Sequence, residues 1–310
     1  MILRSYQLAA IGRCREAYRG GARSVVLVAP CGAGKTAIAC AVARAHLDGG
    51  AGRAVFCIVP RLELAAQMAR ALRAEGLRVG VLAGDAGPGE ADPDAPVQVA
   101  TIQTLVARGL RPPATLVLLD EAHHYYGAPT WAPVVQHYRS AGVALLGLTA
   151  TPCRADGAAL GELADAIVVA ATVAELQALG HLVPCLVIAP GGRRQALAED
   201  PVRAYVEHGG GRRALVFARD MAHSRSICAG LVAAGVSASS VESDLAPSER
   251  AERLRAYAAG ELRVLVNCQI LTEGYDDPST EVVVLARGCS HAGTWLQIVG
   301  RAMRPSPATG

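Results

Sequence analysis

The sequence contains few aromatic residues and few charges. Only 4% of its 310 residues are Phe, Trp or Tyr, although 52% are hydrophobic, so a core must consist mainly of Ala, Val and Leu. Charged residues make up 18%, below the usual quarter, and the net charge is only +3. These values exclude a disordered chain, a coiled coil, a collagen-like repeat and a histone-like polycation.

Lysine is almost absent from the sequence. Of the 30 basic residues 29 are arginine, and the single lysine is Lys35. A chain that uses arginine almost everywhere, yet keeps one compact ammonium group, indicates a site that a broad guanidinium would not fit.

The nine cysteines show no CxxC spacing, and their number is odd. This pattern predicts neither a zinc site nor a disulfide framework, and it favours reduced thiols in a cytosolic protein. No apolar run reaches the length of a membrane span, and the first residues lack the apolar region of a signal peptide. We therefore expect a cytoplasmic protein with no membrane partner.

Short apolar runs alternate with helical stretches along the whole chain. This alternation predicts mainly parallel sheets with helices on both faces, which is an α/β fold. The predicted strands are 24–29, 54–59, 97–100, 116–119, 144–148, 186–188, 214–217, 264–266 and 282–285. The predicted helices include 62–75, 173–179, 224–234 and 248–259.

A weak internal repeat supports two such sheets. Residues 53–85 and 213–244 each read as a basic residue, a strand, a polar turn, a helix, a Gly break and a second strand ending in Asp. The only two phenylalanines, Phe56 and Phe217, fall in the first strand of each repeat. A chance similarity between α/β units is the alternative, but the length also suits two domains of about 150 residues.

The segment around the single lysine has the pattern of a phosphate-binding loop. Residues 24–36 read SVVLVAPCGAGKT, an apolar strand followed by A-x-x-x-x-G-K-T and an Ala-rich helix. Glycines let backbone N–H groups face a phosphate, and the helix N-terminus adds a favourable dipole. Lys35 would contact the β- and γ-phosphates and Thr36 would hold Mg²⁺. The other expected loop contacts are Pro30, Cys31, Gly32, Ala33 and Gly34. An ordinary Gly-rich turn is the alternative.

A second apolar strand leads to two carboxylates. Residues 115–124 read TLVLLDEAHH, so Asp120 and Glu121 stand at the C-terminal end of a strand, where doubly wound sheets bind ligands. Asp120 can hold Mg²⁺, and Glu121 can polarise an attacking water. An acidic turn without function is the alternative, and the phosphate loop earlier in the chain counts against it.

Several motifs, in the right order, resemble those of superfamily 2 helicases. They are LRSYQ at 3–7, PR at 60–61, TIQT at 101–104, DEAH at 120–123, TATP at 149–152, TEGYDDP at 272–278 and QIVGRAMR at 297–304. The last matches Q-x-x-G-R-x-x-R at every defining position. The most similar subgroup is the bacterial and phage helicases related to XPB and to the motor subunits of type III restriction enzymes. This resemblance implies a protein that is prokaryotic or phage-encoded. The resemblance spans residues 3 to 304.

This resemblance implies two RecA-like domains with Mg²⁺ and ATP bound between them. An N-terminal ATP-binding domain would cover residues 1–157 and a connector residues 158–198. A C-terminal helicase domain would cover residues 199–310 and would lack its last strand, because the chain ends six residues after the final motif.

The resemblance also implies roles for individual residues. Arg301 and Arg304 become arginine fingers, and Gln297 orients water or the γ-phosphate. Further nucleotide contacts would come from Arg4, Gln7, Gly274 and Asp276. Three residues would couple the nucleotide state to nucleic-acid binding, and these are His123, Thr149 and Thr151. Nucleic-acid contacts would come from Arg61, Thr101, Arg219 and Thr272.

The sequence therefore predicts an ATP-dependent DNA helicase or translocase. Its nucleic-acid contacts would be mainly to phosphates, so little base specificity is expected, and DNA is favoured over RNA by the subgroup alone. One alternative is a module that binds ATP and nucleic acid but needs a protein partner or a missing C-terminal segment for turnover. Another is an unrelated P-loop ATPase with no nucleic-acid role.

Overall fold

The structure, a computed structural model, forms two compact units, Met1–Leu176 and Gln177–Gly310. It describes residues 2–84, 90–125, 128–151, 160, 164–188, 200–268, 277, 279–289 and 292–305. We call the two parts the first unit and the second unit. The predicted connector boundaries at 158 and 198 stay a prediction.

Parallel strands form a single sheet in the first unit. Within the described residues these strands are β1 Ser24–Val28, β2 Val55–Val59, β3 Val79–Leu82, β4 Val97–Thr101, β5 Leu116–Asp120, β6 Ala144–Thr149 and β7 Ala166–Val169. Their order across the sheet is β3-β4-β2-β5-β6-β1-β7, and every pairing is parallel. All five residues of β1, β2 and β5 are buried, because helices cover both faces of a parallel sheet.

Helices connect these strands. They are α1 Ser5–Arg19, α2 Lys35–Leu47, α3 Leu62–Ala74, α4 Ile102–Arg108, α5 Ala132–Ser140 and α6 Val173–Ala178, with a 3₁₀ turn at Ala122–His124. The division between the units falls within α6. In α3, the residues spaced three and four apart are buried, which gives the helix one apolar face.

The second unit contains a smaller parallel sheet. Its described strands are β8 Ala214–Ala218, β9 Ala238–Val241, β10 Val264–Asn267 and β11 Val282–Ala286, in the order β11-β8-β10-β9. Its helices are α7 Pro201–His208, α8 Met221–Ala233, α9 Pro247–Ala258 and α10 Ala292–Val299. Successive residues of β8 enter different core clusters on the two faces of the sheet, Phe217 in one and Val216 in the other.

The sequence repeat corresponds to a repeated topology. In the first unit β2, α3 and β3 form a crossover that skips β4, and in the second unit β8, α8 and β9 form one that skips β10. The order β3-β4-β2-β5 is thus repeated as β9-β10-β8-β11. Phe56 and Phe217 both lie fully buried in the first strand of their crossover. Two parallel α/β sheets confirm the predicted fold class.

Two details differ from the predicted elements. The predicted strand at 186–188 is wrong, because among the described residues no strand pairs with it, and a strand needs a hydrogen-bonded neighbour. Its side chains are 87%, 65% and 48% exposed. The structure also contains β7 within the stretch that was predicted to be a connector, and β7 pairs with β1.

Several cysteine thiols belong to the core. Cys14, Cys40 and Cys57 are buried, and every cysteine within the described ranges is free. Burial raises the pKa of the Cys14 and Cys40 thiols to about 11, so these groups are neutral at pH 7. Among the described residues, no helix combines the length and the apolar character that crossing a bilayer requires.

Candidate nucleotide-binding site

The loop between β1 and α2 has the geometry that phosphate binding requires. Gly32 and Gly34 have φ values of 81° and 76°, which is the left-handed region that favours glycine. Gly34 is the N-cap of α2, and the first turn of that helix holds no acidic residue. No acidic side chain in the first turn of α2 therefore neutralises the partial positive charge at its N-terminus. The loop fits an anionic group such as the phosphates of ATP.

The start of α1 is hydrogen-bonded to this loop. The Tyr6 hydroxyl and the Gln7 Nε2 both donate to the Ala33 carbonyl, at 2.8 and 2.9 Å. The Gln7 Oε1 accepts from the backbone N–H of Arg4 at 2.9 Å. The structure thus brings together the predicted base contacts and the predicted phosphate loop. The sequence reasoning missed Tyr6, because the motif attributes adenine reading to the glutamine beside it.

The acidic pair lies at the end of β5. Asp120 is the last residue of that strand, and Glu121 follows with φ 50°, the one positive φ outside glycine among the residues that the structure describes. Such backbone strain is uncommon and clusters at functional sites. The Glu121 Oε1 lies 3.7 Å from the Lys35 Nζ, and both side chains are 13% exposed.

A chain of polar contacts leads away from Glu121. Its Oε2 lies 3.6 Å from the His123 Nδ1, which lies 3.0 Å from the Thr149 Oγ1. The Thr149 hydroxyl donates to the Thr151 carbonyl at 3.0 Å. The coupling role of these three residues stays a prediction.

Sheet topology explains why these groups meet. Strands β5, β6 and β1 are neighbours, and the carboxyl ends of parallel strands lie at the same edge of a sheet. Lys35, Glu121 and Thr149 follow or end these three strands, although they are far apart in the sequence. Thr36 is the second residue of α2, so it and Asp120 belong to the same edge and could hold Mg²⁺.

The predicted catalytic residues of the second unit lie on α10 and the turn after it. Gln297 and Arg301 are buried, and Arg304 is half-buried. Gly274, Asp276 and Thr272 lie outside the described residues.

The remaining predicted nucleic-acid contacts follow or end strands. Arg61 follows β2 and is the N-cap of α3, and Arg219 is exposed and follows β8. Arg219 forms an ion pair with Asp220 at 2.9 Å. Thr101 ends β4, but it is buried, and its Oγ1 lies 2.9 Å from the Thr104 Oγ1. Of these predicted contact residues, Arg219 is therefore exposed and Thr101 is buried.

Comparisons with known proteins agree with this geometry. Residues 1–154 match the type III restriction enzyme res subunit family, and residues 198–306 match the helicase conserved C-terminal domain. The chain is 28% identical over 334 residues to the candidate mitochondrial ATP-dependent helicase irc3 of Schizosaccharomyces pombe, covering 97% of this chain and 55% of the relative. It is 31% identical over 336 residues to the candidate DNA 3′–5′ helicase Rad25 of Halobacterium salinarum, covering 98% of this chain and 52% of the relative. The chain thus spans about half the length of these relatives.

A solved structure shows the same fold. The ATP-dependent type ISP restriction-modification enzyme LlaBIII, solved bound to DNA, superposes with a TM-score of 0.74 at 17% identity, over 99% of this chain and 27% of that one. The phosphate loop after β1 and the acidic pair after β5 define the class as a P-loop NTPase with RecA-like units. The two family matches and the motif order place the chain more narrowly: it belongs to the superfamily 2 helicases, with a type III restriction motor-like first unit.

Proposed function

We propose that this chain is an ATP-dependent DNA helicase or translocase, which couples hydrolysis of Mg-ATP to movement on nucleic acid. The observation that supports this most directly is the meeting of Lys35, Glu121 and the His123–Thr149 pair at one edge of the first sheet. Family membership supports the same reaction class, and the name of Rad25 favours DNA as the nucleic acid.

The residues around the loop would bind the nucleotide. When bound, Mg-ATP supplies the phosphoanhydride bond that water cleaves. Lys35 would hold the β- and γ-phosphates, while the Thr36 hydroxyl and the Asp120 carboxylate would hold the metal ion. Arg4 and Gln7 would contact the base. Each group acts by fixing charge and orientation, which is most of what catalysis of phosphoryl transfer requires.

Glu121 would orient the attacking water and accept its proton. Its ion pair with Lys35, at 3.7 Å, is longer than a hydrogen-bonded salt bridge, so a phosphate oxygen can replace the carboxylate as the partner of Lys35. Glu121 then becomes available to water. His123 also contacts Glu121. It would transmit the change in the surroundings of Glu121 to Thr149 and from there to Thr151.

The second unit would complete the chemistry. Arg301 and Arg304 are proposed to stabilise the charge that develops on the γ-phosphate, and Gln297 to orient the water. A guanidinium in this role is worth about 10³–10⁵ in rate. Hydrolysis would then depend on the arrangement of the two units, which links chemistry to movement.

Nucleic acid would be held mainly through its phosphates. Arg61 and Arg219 are proposed as cationic contacts and Thr272 as a polar one. Thr101 was predicted as a second polar contact, but its hydroxyl is buried against Thr104, so it would first have to be uncovered. Phosphate contacts carry no sequence information, so binding should weaken steeply with salt and discriminate little between sequences.

The test is steady-state ATP hydrolysis by the purified chain without nucleic acid, and with single-stranded DNA, duplex DNA or RNA. Lys35→Ala is the control and should abolish turnover. Stimulation by DNA is the expected result. ATP binding without turnover would favour a module that needs a partner, and turnover indifferent to nucleic acid would refute the motor proposal.

A further inference from the structure

The Ala33 carbonyl receives two hydrogen bonds from α1. One comes from the Tyr6 hydroxyl at 2.8 Å and the other from the Gln7 Nε2 at 2.9 Å, and both side chains are buried. A carbonyl oxygen has two lone pairs, so these two donors fill its capacity to accept hydrogen bonds. The position of this peptide group is therefore set by the first turn of α1.

This carbonyl matters because of the N–H on the same peptide group. In a trans peptide the C=O of one residue and the N–H of the next point in opposite directions. Holding the Ala33 C=O against α1 therefore directs the Gly34 N–H away from α1. Gly34 is the N-cap of α2, directly before Lys35, so its N–H is one of the donors that a phosphate at this loop would meet.

The close approach between the helix and the loop leaves this peptide little freedom. A Cβ at Gly34 would lie 2.5 Å from the Gln7 Nε2, and the φ of Gly34 is 76°. The loop therefore needs glycine here for its backbone conformation, and a side chain at this position would also displace the Gln7 amide that is hydrogen-bonded to Ala33.

We propose that Tyr6 is a positioning residue for the phosphate loop, whose hydroxyl fixes the Ala33–Gly34 peptide so that the Gly34 N–H is directed toward a bound polyphosphate. The ligand class rests on the proposed function. The Tyr6 hydroxyl gives its only hydrogen to Ala33, so its donor capacity is used on the loop. Gln7 differs, because a second Nε2 hydrogen and a second Oε1 lone pair are available in principle for a base.

The chain offers a matched control on the same helix. The Tyr18 hydroxyl donates to the Leu145 carbonyl at 2.6 Å, so Tyr18→Phe removes a tyrosine-to-carbonyl hydrogen bond from α1 without touching the loop. Tyr6→Phe removes the corresponding bond to Ala33 and keeps the ring.

The experiment is equilibrium binding of Mg²⁺ complexes of ATP, GTP and tripolyphosphate to the full chain by calorimetry. Tyr6→Phe should weaken all three by a similar factor of about three to ten, the range expected for one net hydrogen bond. The ATP-to-GTP ratio should stay unchanged in Tyr6→Phe and change in Gln7→Ala. Tyr18→Phe should bind all three ligands as the unmodified chain does.

Three results would overturn the proposal. They are unchanged binding by Tyr6→Phe, a loss for ATP but not for tripolyphosphate, and an equal loss in Tyr18→Phe. Lys35→Ala separates this inference from the proposed function. If Lys35→Ala binds normally, the loop is not the phosphate site and both fail. If the unmodified chain binds ATP but DNA does not stimulate hydrolysis, the motor proposal fails while the Tyr6 result stands.

Discussion

The two units share one arrangement of four strands and differ in what surrounds it. The order β3-β4-β2-β5 in the first unit has its counterpart in β9-β10-β8-β11, with equivalent crossovers through α3 and α8. Only the first sheet adds β6, β1 and β7 among the described residues. The strand that leads to the phosphate loop is thus one of the additional strands, so the shared framework alone does not create that site.

The N-termini of two helices show the difference most clearly. In the first unit α2 begins after Gly34, without an acidic side chain in its first turn. In the second unit Asp220 caps α8 and accepts the His223 N–H at 2.7 Å. That hydrogen bond and the Arg219 side chain hold the pKa of Asp220 below its usual range. The N-terminus of α8 is therefore occupied by the chain's own anion, whereas that of α2 suits an external one.

The largest expected effect tests whether the first unit supplies ATP binding and the second unit supplies catalysis. Lys35→Ala should abolish ATP binding, whereas Arg301→Ala should keep it and lower kcat by about 10³–10⁵. Nucleotide affinity by calorimetry and turnover with DNA measure both quantities. A large loss of ATP affinity in Arg301→Ala would contradict this division.

A smaller loss should follow from Glu121→Gln. The amide fills the same space but cannot accept a proton, so turnover should fall by about 10²–10⁴ while ATP binding remains. Single-turnover hydrolysis separates the chemical step from binding. Wild-type turnover in this variant would refute the proposed role of Glu121.

The equivalent phenylalanines allow a stability comparison. Phe56→Ala and Phe217→Ala should each lower the free energy of unfolding of their own unit by about 3–5 kcal/mol, because each removes a buried ring from a sheet core. The two tryptophans provide separate reporters, Trp131 in the first unit and Trp295 in the second.

Denaturant unfolding in Trp295→Phe and Trp131→Phe backgrounds follows each unit by fluorescence. The result expected is a shift confined to the unit that carries the substitution. Equal shifts of both transitions would show that the units unfold as one body.

The smallest expected effect is a pH dependence of the first unit. Hydrogen bonds from the backbone N–H groups of Arg23 and Ser24, together with Arg139, hold the pKa of Asp165 below its usual range. Its contribution to stability is therefore present above about pH 4, the unfolded value, and is lost as the pH falls through the lower folded value. In Asp165→Asn, the free energy of unfolding of the first unit, followed by Trp131 fluorescence, should fall less steeply as the pH is lowered. An unchanged dependence of that free energy on pH would contradict this.

The elements that could be predicted from the sequence were those with strong local patterns. Apolar runs bounded by glycine or polar residues predicted β1, β2 and β5 to within one or two residues. The segment 186–188 has the same local pattern, but no strand lies beside it in the part of the chain that the structure describes. β7 is a short strand at the edge of the described sheet, and its pairing with β1 is a long-range event. The local composition of a segment does not say whether another strand will lie beside it.

The candidate site shows the same limit. Lys35, Asp120 and Glu121 could be proposed from the sequence because phosphate and metal binding favour those residue types where a strand ends or in the loop that follows it. The bond from Tyr6 to Ala33 could not be identified, since it joins positions on two elements whose approach depends on packing. The enclosure of Thr101 by Thr104 likewise depends on how α4 follows β4.

The amino-acid sequence by itself determined the class of this protein: one lysine in a glycine-rich loop, an acidic pair after a strand, and ordered helicase motifs. These features follow from chemistry that demands particular side chains at particular spacings. The strand order, the strained Glu121 backbone and the attachment of the phosphate loop to α1 were decided only by tertiary structure. They arise because burying two sheets brings distant segments together, and the contacts formed there depend on all of the packed elements at once.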